Sequence, residues 1–122
     1  MTMTDPQRAF TGQSSFMRFA TVGERQVARK LVTQLLAHGY EISVHDGTET
    51  TVKREVIRST ILDALCTTGE DSLYVHTVDG RRLGSFLLVW GNAEDGSELI
   101  ADHADNETCN GVYAAVYGEN GQ

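Results

Sequence analysis

The run Leu83-Gly-Ser-Phe-Leu-Leu-Val-Trp-Gly91 constrains the fold more than any other part of the chain. It is the most apolar stretch, and Phe86, Val89 and Trp90 are side chains that favour the pleated, packed surface of a sheet. It is too short to cross a bilayer as a helix and has the length of a central strand. A strand of this kind has to be covered, so the rest of the chain must supply flanking strands and helices.

The hydrophobic periods on either side place those partners. From Gly23 to His38, the residues Val27, Ala28, Leu31, Val32, Leu35 and Leu36 recur at helical steps, with Glu24, Arg25, Arg29 and Lys30 turned to water. Thr21 and Glu24 have the spacing of a capping box, and Gly39 suits a left-handed stop. Tyr40 to His45 alternates like a strand with one wet face; Asp46-Gly47 turns the chain, and Thr48 to Val52 forms a short returning edge strand. Lys53 to Cys66 reads as a second helix, with Val56, Ile57, Thr60, Ile61, Ala64 and Leu65 on its packed side, and Thr67 to Asp71 loops out. Ser72 to Val78 alternates again and joins the Leu83 strand through a turn at Asp79-Gly80. Asn92 to Ser97 is a turn region, Glu98 to Asp102 a further strand, and Asn106 or Asp105 caps a helix from Glu107 to Tyr117.

Helices gathered against strands joined by hairpins give an α+β fold: a single-layer, mostly antiparallel sheet of four to five strands with helices packed on one face. Residues 16–118 form this one domain. Residues 1–15, polar and without a period, are expected to be a mobile N-terminal arm, and residues 119–122 a short polar tail. Cys66 and Cys109, the only cysteines, do not make a disulfide scaffold; with no signal peptide in view they point to a reduced, cytoplasmic setting.

The net charge of −7 is distributed unevenly. Residues 1–82 hold ten acids and all ten lysines and arginines; residues 83–122 hold seven acids and no lysine or arginine. Such a surface counts against nucleic acid as the direct partner of that face, since phosphates require lysine and arginine, and repels an anionic membrane. It attracts a basic protein surface, including the one a nucleic-acid-binding complex presents to its own ligand. Glu94, Asp95, Glu98, Asp102, Asp105 and Glu107 are the carboxylates expected to form that partner-binding surface. The bland alternative is that they only keep a small protein soluble.

No catalytic residue and no cofactor is called for by a specific motif. The sharpest cluster is Asp102-His103-Ala104-Asp105, whose Asp and His side chains are metal ligands in type. With His45 or His76 on the same side they would hold a divalent ion for metal-assisted hydrolysis; the competing reading is a strand end followed by a helix cap. His45-Asp46 before Gly47 is turn chemistry before it is an acid–base pair. Cys66 lies among apolar residues, and Cys109 among Asp105 and Glu107, neither of which favours a thiolate nucleophile. Two basic trios, Arg25, Arg29 and Lys30 on the first helix and Lys53, Arg54 and Arg58 on the second, read either as weak nucleic-acid patches or, since Glu24, Glu55 and Asp63 dilute them, as ordinary solvated helix faces. Arg81-Arg82 marks an exposed hairpin tip. A third reading of the chain is a homodimer that buries the apolar strand or the Tyr113 and Tyr117 stripe.

The passages Tyr40-Glu-Ile-Ser-Val-His-Asp-Gly, Ile61-Leu-Asp-Ala-Leu, Phe86-Leu-Leu-Val-Trp-Gly-Asn and Glu98-Leu-Ile-Ala-Asp-His-Ala-Asp-Asn resemble small α+β proteins of bacterial phages and plasmids. The likeness spans roughly residues 23 to 117 and lies in strands and turns, with no catalytic residues to carry over. It implies an accessory protein of a mobile element that works by binding host machinery. Inhibitors of CRISPR defence, some of them acidic mimics of DNA, are one such class.

Overall fold

A computed structural model describes residues 13–118. Its elements in chain order are α1 (Ser15–Phe19), α2 (Val22–Ala37), β1 (Glu41–His45), β2 (Thr50–Glu55), α3 (Arg58–Asp63), β3 (Glu70–His76), β4 (Arg82–Val89), β5 (Ile100–His103) and α4 (Glu107–Tyr117). The strands form one antiparallel sheet in the order β2-β1-β3-β4-β5, which makes the fold α+β. The apolar run is β4, hydrogen-bonded on both sides.

Alternate strand residues share a face, and cross-strand register aligns those faces. Ile42 opposes Val75, and Val44 opposes Leu73, which opposes Phe86. All of these are buried in one cluster with Leu31, Leu35, Ile61, Val112 and Val116 of the helices. The other face carries rows such as Ser43, Tyr74, Ser85 and His45, Ser72, Leu87, Asp102. The helices therefore cover one side of the sheet, and this second face is open.

Three sequence expectations are corrected. The first is the second helix. Lys53 and Arg54 belong to β2, which runs on to Glu55, and the helix that follows is only Arg58–Asp63. Thr50, Thr51 and Val52 are β-branched and pair with β1, drawing the next residues into the strand. Glu55 then ends the strand, its carboxylate accepting from the backbone N–H groups of Val56 and Ile57, both at 3.1 Å. Val56 and Ile57, assigned to a packed face, are 58% and 55% exposed.

The second is Glu24, expected to face water. It is 2% exposed: Oε1 accepts from Thr21 N–H at 2.9 Å and Oε2 from Gly91 N–H at 2.6 Å. The capping box is present as anticipated, and its carboxylate also reaches across to the end of β4. The third is Asp71, placed in a loop, which lies inside β3 and is fully buried.

Smaller differences follow from capping. Asn106, not Asp105, caps α4 by accepting from Cys109 N–H at 2.8 Å. Ser14 caps α1, so the ordered chain starts before Phe16, and Phe16 packs edge-on against Trp90 with centroids 6.1 Å apart. The expected mobile arm lies outside the described residues except for 13–15, as does the polar tail 119–122. Among the described residues no helix is long and apolar enough to cross a membrane.

Candidate interface: an acidic edge and the open sheet face

β5 is an edge strand, and the six acids singled out from the sequence lie on it or in the segments before and after it, with Glu107 lining a depression beside Gln34 and His38 at the end of α2. Glu94, Asp95 and Glu98 lie in the loop that leads into β5, Asp102 lies on it, and Asp105 and Glu107 lie at the cap of α4 just after it. The strand is four residues long, or roughly 13 Å. All six side chains belong to exposed residues. Among the described residues the ion pair is between Arg54 and Glu41, and none of the six acids has a cationic partner.

The loop that carries the first three acids is held in shape from both sides. Thr21 Oγ1 donates to the carbonyl of Glu94 at 2.7 Å, and the Tyr117 hydroxyl donates to the carbonyl of Gly96 at 2.9 Å. Gly23, in the first turn of α2, lies so close to the Asp95 backbone that a Cβ would collide with it. Asp95 itself accepts from Ser97 N–H at 2.9 Å, and hydrogen bonds from the Ser97 backbone and side chain hold its carboxyl below the usual range. The loop thus presents a charged carboxylate from a fixed backbone.

Asp102 and His103 diverge, because successive strand residues leave opposite faces. Asp102 stands on the open face opposite Leu87. His103 lies under α4, stacked on Tyr113 with centroids 4.6 Å apart and on Phe86 at 5.9 Å. Its Nε2 lies 2.9 Å from Asn110 Oδ1, while the Asn110 amide N–H donates to Asp105 Oδ1 at 3.1 Å. With the amide oriented by Asp105, the imidazole N–H donates to the amide oxygen, and Nε2 has no lone pair left for a metal. His45 shares a row with Asp102 but is three inter-strand spacings away, roughly 14 Å. His76 also lies on the open face, 3.1 Å from Ser43 Oγ. Among the described residues no three His, Cys, Asp or Glu side chains converge as a metal set.

The cysteines are free and buried. Burial, with the charges of Glu24 and Asp71 nearby, pushes the Cys66 thiol up to about 11. Burial also raises Cys109. Neither is a poised thiolate.

A second group of residues was not recognised in the sequence. Lys53, Arg54, Tyr74, His76 and Arg82, with Ser43 in the floor, line a depression of about 380 Å³ on the open face. Tyr74, His76 and Ser43 are legible as one face from their period of two. Lys53 and Arg54 were assigned to a helix, and so were not placed beside them. Compared with known proteins, the chain matches no family model, no curated protein and no solved structure.

Proposed function

We propose that this chain is a non-catalytic binding protein that docks through its acidic edge on a basic protein surface, of the kind a nucleic-acid-binding complex presents. The observation that carries the reading is the exposure of six carboxylates on β5 and in the segments just before and after it, none with a cationic partner among the described residues. Unpaired charge of one sign on a fixed backbone is a field directed outwards. It raises the rate of encounter with a basic partner and disfavours acidic ones. β2, at the far edge of the sheet, mixes Lys53 and Arg54 with Glu55, and Arg54 is paired with Glu41, so a run of one sign of charge belongs to the β5 side alone. An accessory role in a mobile element, acting inside a bacterial cell as an inhibitor of a host complex, is the setting this reading belongs to.

The test is charge reversal at Asp95, Glu98, Asp102 and Asp105, each to lysine. A partner captured by the native protein from a bacterial lysate at low salt, and lost at high salt, is purified and titrated with both proteins. Affinity should fall by about a hundredfold or more, since close interfacial charge pairs each contribute in the kcal/mol range. An unchanged affinity for the isolated partner ends the proposal.

A further inference from the structure

We propose that the depression on the open sheet face binds a small phosphorylated molecule, with Lys53 and Arg82 as the residues that hold the phosphate. This site is separate from the acidic edge and does not depend on the docking proposed for it.

The cleft is assembled by the sheet. β1 supplies Ser43, β3 supplies Tyr74 and His76, β4 begins with Arg82, and β2 contributes Lys53 and Arg54 from the other side. Its floor is fixed: Arg54 N–H donates to Ser43 Oγ at 3.0 Å, and Ser43 Oγ lies 3.1 Å from His76 Nε2. Ser43 is 7% exposed and already engaged, so it is a floor residue and not a nucleophile.

Two of the three cations are placed before any ligand arrives. The Arg54 side chain spans to Glu41 Oε1 at 2.6 Å and to the Val78 carbonyl at 3.0 Å, tying β2 to the β3–β4 hairpin. Its backbone φ is +48°, unfavourable for a residue with a Cβ. The Arg82 guanidinium carbon lies over the Tyr74 ring, 4.0 Å from its centroid. A guanidinium laid on a ring keeps its N–H donors pointing sideways, in the geometry that binds phosphate oxygens in pairs. Lys53, exposed on β2, adds a mobile ammonium. Among the described residues no carboxylate lines the depression itself, while Glu41, paired with Arg54, stands on the same face in register with His76.

Size and charge select the ligand. A volume of about 380 Å³ falls at the small end of the range for small-molecule sites and exceeds what a free phosphate fills. The outer face of the Arg82 guanidinium offers a surface on which a planar ring can stack. A long polyanion would run towards β5 and its carboxylates, within a molecule of net charge −7; a compact anion would not. A mononucleotide meets all three conditions.

Titration of the full chain with adenosine monophosphate, ribose 5-phosphate, inorganic phosphate, adenosine and a single-stranded octanucleotide, followed by NMR, tests this. The two phosphate esters should shift the amides of Lys53, Tyr74, His76 and Arg82, and adenosine should not. Arg82→Gln and Lys53→Gln should each weaken adenosine monophosphate about tenfold, the loss expected for one charge-assisted contact. Lys30→Gln, on α2 in the helix layer, should leave affinity unchanged. Both cleft variants alter exposed side chains, and matching thermal midpoints confirm that they fold. No shift with either ester at millimolar concentration overturns the proposal, as does equal binding of adenosine. Tighter binding of the octanucleotide than of the monomer overturns it in favour of a nucleic-acid surface.

Discussion

Trp90 donates its indole N–H to Asp71 Oδ2 at 2.9 Å, inside a core where Asp71 has no exposed surface. Cys66 N–H donates to the same oxygen at 2.9 Å, and Oδ1 has no partner among the described residues. A buried carboxylate on β3 thus gathers the turn after α3 and the end of β4 onto one point. The arrangement is costly, because burial penalises its charge more than the two donors favour it, and its pKa is raised.

The sign of the pH dependence follows. A carboxyl raised above its ordinary value adds stability below that value, and the stability is lost as pH rises through the folded-state value. Asp71→Asn removes this titration. Between about pH 4 and pH 7 the urea midpoint of the variant should therefore gain on that of the native protein. A constant gap between the two across that range would show that Asp71 is not raised.

Glu24 should be among the most sensitive positions on α2. Glu24→Ala removes the capping box and leaves Gly91 N–H without its acceptor, at a cost of about 2 to 3 kcal/mol in urea unfolding. Glu24→Gln keeps one acceptor oxygen and should cost less. Equal losses would place the effect in packing alone.

Gly23→Ala should destabilise by about 1 to 3 kcal/mol, because the new methyl meets the Asp95 backbone, which yields less readily than a side chain. The amide signals of Glu94 and Asp95 should move with it. Undisturbed loop signals would mean that α2 and the acidic loop are not in close contact.

The four-site reversal used to test docking should change stability by no more than about 0.5 kcal/mol at the exposed Glu98 and by about 1 kcal/mol at Asp95 and Asp105, whose carboxylates accept from Ser97 and Asn110. Chemical unfolding checks this. A large loss would mean that the acids contribute to folding, and any fall in binding would then need that correction.

Neither cysteine should react with a thiol reagent at about pH 8 while the protein is folded, and both should react in denaturant. Their burial and the raised Cys66 thiol give the same expectation. Rapid labelling of Cys66 in the native protein would contradict it.

The sequence alone determined the elements whose signals are local. The apolar period and the Thr21–Glu24 spacing fixed α2, the Asp79-Gly80 turn fixed the β3–β4 hairpin, and the stripe from Val112 to Val116 fixed α4. It also determined that carboxylates without cationic company crowd the last third, because charge is counted, not folded. Tertiary structure decided what depends on a distant partner. Glu24 is buried because Gly91 comes to meet it, and Asp71 because Trp90 and Cys66 do. Lys53 and Arg54 fit a helix by period, but pairing with β1 drew them into a strand, and only strand order set them across the open face from Arg82. Local propensity is weak beside a partner strand or a buried hydrogen bond, and neither is visible in a window of neighbouring residues.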